Sequence, residues 1–366
     1  MNGKPIDIAA LSAAVQHNCH IADARHAGEL TMCTYLLQMR EFWRWEHRLP
    51  LGAPVDRSAV GPWLAGREAL WDRVQGDDWR PLPLPGGVVV ADPFEVDRVN
   101  AAVRDGGWIY GAGMVGRARP VFFLARVCRH YALEGLEVVE ASEEVARTLL
   151  APPAALAGGA QGPVLLRRQA MARWCWERTE GVALRPAGRA AQAADPTLAM
   201  VRHYGLDRDF HAGLQAWLDD QCATALQHEL AEHRLNMADG VAWAGLRKSL
   251  PEGRPLALLA ALRDLLADLG HTLPRLLEGA TPAGALHTWF AGFDGLRSLL
   301  FPGLPAAYAA WQAGDQGQAL RSACSGGQAH FDALATTLRA AWHAEGEGCA
   351  PAASSLLASP AAVMAG

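Results

Sequence analysis

The spacing of apolar residues along the chain predicts helices at its start. From Ile8 to His26, apolar or small residues recur every three or four positions, which is the period of a helix with one buried face. Gly28 is expected to end or kink this helix. A second helix then continues to about residue 48, and apolar side chains surround most of its circumference. We therefore expect the second helix to be buried on nearly every side.

The pattern changes after residue 50. Residues 51–85 are rich in proline and glycine and contain one predicted helix, at 62–75. Short apolar runs typical of strands follow, at residues 88–90, 108–110, 121–124 and 136–139. Two helices are predicted among them, one starting at Asp92 and one at Ser142, because each position offers an N-cap residue. Together these elements predict a small α/β module at 86–155.

From Pro163 onward the pattern is helical only, and the last residues, rich in alanine, serine and glycine, are expected to be disordered. The predicted fold class is mainly α, a helical bundle with a small α/β module inserted after the N-terminal helices, and α+β overall. The predicted organisation is a helical pair (1–50), a connector with one helix (51–85), the α/β module (86–155), a helical domain (163–345) and a disordered tail (346–366). We expect the N-terminal pair to pack back against the helices of 163–236.

Composition limits the classes of function. Hydrophobic residues make up 51% of the 366 positions, which is enough for a large core, and the net charge is −5 without a polybasic tract. Nucleic acid is therefore not an expected partner. The seven cysteines are scattered without a Cys-x-x-Cys pair, which argues against a disulfide scaffold and a zinc ribbon. With no signal-peptide pattern and no long uncharged apolar run, we expect a soluble cytoplasmic protein that does not enter a membrane.

The strongest concentration of potential chemistry lies near the N-terminus. Three histidines, one cysteine and one aspartate fall within residues 17–26. At 100° per residue, Cys19, Asp23 and His26 project from the apolar face of the first helix, whereas His20 joins them only if the helix is distorted. Because an aspartate is seldom buried unpaired, Asp23 requires a metal, a cation or a network of hydrogen-bond donors.

Two further positions extend this candidate site. Glu41 lies on the narrow polar stripe of the second helix. In the predicted helix 208–236, His228 and Glu232 are four residues apart and continue its apolar face, although His228 and His233 are five apart and so do not form a zinc-protease motif. We therefore predict a polar pocket between the N-terminal helices and the 208–236 helix that binds iron or zinc. Its candidate ligands are Cys19, His20, Asp23, His26, Glu41, His228 and Glu232.

Such a site suits a metal-dependent oxidoreductase or hydrolase, and two alternatives stay open. In the first, the protein is a non-enzymatic interaction or assembly protein whose polar cluster is structural. In the second, Gly111–Arg119 binds a small anion or a nucleotide, because Gly111 to Gly116 matches Gly-x-Gly-x-x-Gly and is followed by Arg117 and Arg119. Pro120 disfavours the helix that a dinucleotide site needs, so a turn between two strands is the favoured interpretation. A small molecule or a protein is the expected partner, and the oligomeric state is left open.

Overall fold

The computed structural model describes residues 8–84, 90–115, 119–150, 152, 154–156, 162–184, 195–278 and 283–364. The chain divides into two compact units, of which the first comprises 1–157 and 165–176 and the second comprises 158–164 and 177–366. Each unit has its own hydrophobic core. Within the described residues, no helix combines the length and the apolarity that crossing a membrane would require.

The first unit combines helices with a sheet. Its helices are α1 (Ile8–His26), α2 (Met32–Glu46), α3 (Arg57–Val74), α4 (Val96–Val103) and the start of α5 (Arg168–Ala183). The strands of the chain are β1 (Leu82–Pro83), β2 (Val90–Ala91), β3 (Trp108–Val115), β4 (Arg119–Leu133), β5 (Leu136–Arg147), β6 (Ala154–Leu156) and β7 (Val164–Arg167). β1 pairs with β2, and the other five form a sheet in the order β3-β4-β5-β7-β6.

The core of the first unit lies on both faces of this sheet. Because successive side chains of a strand point to opposite faces, β4 divides its apolar residues between two clusters. Phe122 and Leu124 share a cluster with Val15 of α1, whereas Phe123 and Ala125 belong to a second cluster. Helix α1 therefore packs on the sheet, through the same apolar stripe that the sequence pattern predicts.

The second unit is helical. Its helices are α6 (Pro196–Tyr204), α7 (Phe210–Ser249), α8 (Arg254–Ala267), α9 (Leu273–Leu277), α10 (Ala283–Ala291), α11 (Gly295–Leu300), α12 (Leu304–Gln312), α13 (Gln318–Glu345) and α14 (Ala350–Ala358). A π-helical turn, Asp268–Thr272, connects α8 to α9. The long α7 contains a kink at Asp239, whose backbone leaves the helical region and whose side chain caps Ala242. The mainly helical, α+β fold class is thus confirmed.

The prediction that α2 is buried on nearly every side is wrong. Its first half is open to solvent, with Met32 70% exposed and Leu36 48% exposed, while Glu41 in its polar stripe is buried. In its second half, Met39 and Phe42 share a buried cluster with Trp71 of α3 and with Leu149, which follows β5. The apolar residues around the circumference of α2 could not show which part of the length of this helix other elements cover.

Two local predictions also need correction. Ser142 does not begin a helix but lies in β5, because pairing with β4 and burial of the strand outweigh its cap-like sequence. The tail predicted to be disordered is structured over residues 346–364, where a short 3-10 turn leads into α14, and residues 365 and 366 lie outside the described residues. Cys349 and Leu357 are buried in the core of the second unit, so small apolar residues at helical spacing are sufficient to dock this segment.

Candidate functional site

Three potential metal ligands meet in the second unit. One ligand atom from each of His228, Glu232 and Asp264 lies within 4.8 Å of the others, and all three residues are partly buried. His228 and Glu232 come from α7 and Asp264 comes from α8, which packs against it. The three side chains therefore offer one imidazole and two carboxylates to a single point.

Local sequence explains how the two helices present these groups. Positions four apart lie on the same face of a helix, so His228 and Glu232 stand one turn apart on α7. The same spacing relates Asp264 to Asp268, with which the π-helical turn begins. π-Helical segments are rare and are frequently found at functional sites.

A buried carboxylate fixes the orientation of the imidazole. The Oδ1 atom of Asp268 lies 2.8 Å from Nδ1 of His228, and Asp268 is only 1% exposed. Arg297 donates to the other oxygen of Asp268 at 3.2 Å. Because Nδ1 is already hydrogen-bonded, Nε2 is the nitrogen left for a ligand. A carboxylate behind a histidine is the arrangement that orients metal-binding imidazoles in proteins.

The charges of the cluster compensate one another. Burial lowers the pKa of His228, but the adjacent Asp268 carboxylate outweighs it and raises this pKa from 6.5 to about 10. Burial raises the pKa of Asp264 to about 6, although His228 and Arg297 act in the opposite direction. Arg263 approaches Glu232 at 3.4 Å. A cation, whether a proton or a metal ion, is therefore favoured between these carboxylates.

The predicted ligands of α1 have protein partners in the first unit. Both carboxylate oxygens of Asp23 accept from the backbone N–H of Leu149, at 2.9 and 3.0 Å, so its donor is the backbone of the segment that follows β5. The thiol of Cys19 donates to the carbonyl of Phe122 at 3.5 Å. Each group is therefore satisfied within the protein.

The remaining N-terminal candidates are also engaged. His20 accepts from Arg67 at 2.7 Å, and burial together with Arg67 lowers its pKa to about 3. His26 pairs with Glu29, and Glu41 pairs with Arg44. Among the described residues, none of the α1 or α2 candidates belongs to a group of three ligand atoms. A pocket shared between these residues and His228 stays a prediction.

Asp264 and Asp268 are not among the ligands that the sequence predicts. Their signal is the same as that of His228 and Glu232, namely two polar residues four apart in an otherwise apolar stretch, Arg263-Asp-Leu-Leu-Ala-Asp-Leu. Only the packing of α8 on α7 shows that the two pairs face the same point.

The glycine-rich segment is part of a β-hairpin. Gly111 and Gly113 lie inside β3, and β4 begins at Arg119, so a strand follows the motif as Pro120 indicates. Arg117 lies outside the described residues, whereas Arg119 pairs with Glu29 at 2.7 Å. A strand in place of the helix argues against a dinucleotide site here.

Packing explains why residue 111 is glycine. A Cβ atom at Gly111 would lie 2.1 Å from the ring of Phe123, which is buried beneath the guanidinium of Arg167 at 4.1 Å. Gly111→Ala is expected to lower the free energy of unfolding by about 1–3 kcal/mol, measured by urea denaturation. Gly113→Ala is the matched control, because nothing lies within 4 Å of its Cβ position, and a change below about 0.5 kcal/mol is expected. Equal effects of the two substitutions would contradict this explanation.

Comparisons with known proteins divide the chain in the same way as its contacts. Residues 10–163 match the N-terminal domain of a family of unknown function, DUF6866, and residues 172–360 match its C-terminal domain. No curated protein and no solved structure matches the chain. The His228 cluster falls in the segment that matches the C-terminal domain.

Proposed function

We propose that this chain, which belongs to the DUF6866 family, binds one divalent metal ion through His228, Glu232 and Asp264. The observation that carries the proposal is the approach of their three ligand atoms to within 4.8 Å of one another. An imidazole with two carboxylates is a ligand set used by zinc and by non-haem iron. These two ions are therefore the proposed cofactors.

The hydrogen bond behind the histidine supports this proposal. Asp268 holds Nδ1 of His228, so the ring cannot turn away from the two carboxylates without breaking a buried hydrogen bond. Metal binding requires the neutral imidazole, so an ion and the proton on His228 compete for the same site.

Three protein ligands leave coordination positions open for water or for a small molecule. A bound zinc ion supplies Lewis-acid chemistry at such a position, and iron additionally supplies redox chemistry. A metal-dependent hydrolase or oxidoreductase is accordingly the proposed class of activity. Around the site, Arg263 pairs with Glu232 and Arg297 pairs with Asp268. Burial raises the pKa of Asp268, but His228 and Arg297 outweigh it and hold this pKa below its ordinary value.

Metal titration of purified protein tests the proposal. Isothermal titration with Zn²⁺, and with Fe²⁺ under anaerobic conditions, is expected to give about one ion per chain. His228→Ala and Asp264→Asn each remove a ligand and are expected to weaken binding at least ~100-fold, and Asp268→Asn about 10- to 100-fold. His211→Ala is the matched control, since His211 is exposed on the same helix. Substoichiometric metal, or equal affinity in the variants and the control, would contradict the proposal.

The exposed half of α2 favours a second candidate, a non-enzymatic interaction protein. Met32, Leu36 and Leu37 are 70%, 48% and 44% exposed, which is unusual for neighbouring large apolar side chains on one helix. In this case the His228 cluster is purely structural. The same titration separates the two candidates. If the cluster is purely structural, the wild-type protein binds no metal, and His228→Ala lowers only the stability of the fold.

A further inference from the structure

A second candidate site is a cleft in the first unit, with a volume of about 920 Å³. This size lies within the range of small-molecule binding sites. Its principal side chains come from α1, α2, the sheet and α5: Gln16, Trp45, Trp108, Arg126, Glu143 and Gln169. None of the seven metal-ligand candidates lines this cleft.

A β-bulge shapes one wall of the cleft. Between two regular pairs of β4 and β5, one residue of β4, Arg126, stands opposite two residues of β5, Ser142 and Glu143. The flanking pairs are Ala125 with Glu144 and Val127 with Ala141. Glu143 and Glu144 both line this cleft, and Glu144 contributes its backbone, since its N–H and its carbonyl bond to Gln169 and Trp45 while its buried carboxylate pairs with Arg167. Bulges of this kind are common beside binding sites.

Opposite charges remain unpaired on this wall. The guanidinium of Arg126 lies 4.3 Å from the centre of the Trp108 ring, within cation–π distance. In the described part of the chain, neither the exposed Arg126 nor the exposed Glu143 has an ion-pair partner. Arg48 is also exposed at the cleft and has no partner among the described residues. Among the described residues, the cleft thus offers two cations, Arg48 and Arg126, and one carboxylate, Glu143, that have no ion-pair partner.

Neutral groups fix the rest of the wall. Trp45 donates its indole N–H to the carbonyl of Glu144 at 2.9 Å. The side-chain oxygen of Gln169 accepts from the N–H of Glu144 at 2.8 Å, which leaves the amide nitrogen of Gln169 as a donor for a ligand. Both side chains are therefore held by the backbone of the bulged strand before any ligand arrives, which reduces the entropy cost of binding.

We infer that this cleft binds a small zwitterion, an α-amino acid or a dipeptide. Arg126 takes the carboxylate, Glu143 takes the ammonium group, and the side chain of the ligand lies against Trp45. A ligand with only one charge would leave one of these groups unpaired. Because Arg48 supplies a second cation, zwitterions with an additional carboxylate are expected to bind most tightly. This inference is independent of the metal site.

Ligand-observed NMR and isothermal titration with amino acids and dipeptides test the inference. The control ligand is an N-acetylated, C-amidated glutamate, which lacks the charged ammonium and carboxylate termini. Acidic amino acids or dipeptides are expected to bind with a dissociation constant below about 1 mM. Arg126→Gln and Glu143→Gln are each expected to weaken binding at least ~10-fold. Arg73→Gln, at an exposed arginine of α3 in the same unit, is expected to leave it unchanged.

The inference is overturned if no zwitterion binds at about 10 mM, if the blocked glutamate binds equally well, or if both variants bind as the wild-type protein does. Binding of neutral sugars in place of zwitterions would also overturn it. Circular dichroism checks the fold of each variant. Glu143→Gln replaces one carboxylate oxygen of an exposed side chain with an amide nitrogen, so this variant is expected to fold. It therefore provides the test even if Arg126→Gln does not fold.

Discussion

Replacing Glu144 by glutamine is expected to lower the free energy of unfolding by about 3–5 kcal/mol, the usual cost of breaking a buried ion pair on one side. The side chains of Glu144 and Arg167 are 1% and 4% exposed, and their closest nitrogen and oxygen lie 2.7 Å apart. Burial raises the pKa of Glu144, but Arg167, Arg173 and Arg147 outweigh it and hold this pKa below its ordinary value. Glu144→Gln would leave three buried arginines without this compensating charge.

Denaturant unfolding of wild type and variant measures this effect. Removing Arg167 as well, in Glu144→Leu/Arg167→Met, is expected to recover about half of the loss, because the closest guanidinium is then removed together with the carboxylate, whereas Arg147 and Arg173 remain. Glu95→Gln is the surface control: Glu95 and Arg98 form a half-exposed pair, for which a change below about 1 kcal/mol is expected. A loss below ~1 kcal/mol for Glu144→Gln would mean that water reaches this pair.

The stability that Asp23 contributes is expected to fall as the pH rises from about 4 to 7. Burial raises the pKa of Asp23 from 3.8 to about 7, against the opposing effects of the Leu149 N–H and Arg147. In this window the folded protein retains the proton and the unfolded chain has lost it. Stability therefore decreases with increasing pH. Three pKa units correspond to up to about 4 kcal/mol.

Asp23→Asn provides the reference for this effect. Asparagine retains an oxygen that can accept from Leu149 but does not titrate, so wild type minus variant isolates the carboxyl group. We expect the difference in unfolding free energy, measured in urea at pH 4, 5, 6, 7 and 8, to shift in favour of the variant up to about pH 7 and then to level off. A difference that shifts in favour of wild type as the pH rises would mean that Asp23 is ionised in the folded protein and paired with a cation.

The sequence predicts helices well where one apolar stripe is continuous. The stripe of α1 is such a case, since Val15 and Cys19 pack on the sheet as the period indicates. The sequence pattern does not predict burial correctly where exposure changes along the length of a helix. In α2, the exposed Leu36 and the buried Phe42 belong to the same apolar pattern. Ser142 fails for a different reason, because the pairing of β5 with the preceding strand β4 decides its conformation and outweighs the cap-like local sequence.

The candidate site was predictable in part. The spacing of His228 and Glu232 correctly placed both residues on one face, because helical geometry alone determines it. Asp264 could not be assigned to the same point, since its position depends on how α8 packs on α7. Likewise, the spacing of Asp23 indicated that its carboxylate is buried but could not identify the backbone N–H of Leu149 as its donor.

Locating a bound ion directly tests the central proposal of a metal site. Crystals grown with Zn²⁺ or Fe²⁺, measured at the absorption edge of the metal, are expected to show one anomalous peak about 2.0–2.2 Å from the imidazole nitrogen of His228 and from carboxylate oxygens of Glu232 and Asp264. The peak is expected to disappear in Asp264→Asn and to persist in His211→Ala. A peak elsewhere on the chain, or no peak at millimolar metal, would contradict the proposal.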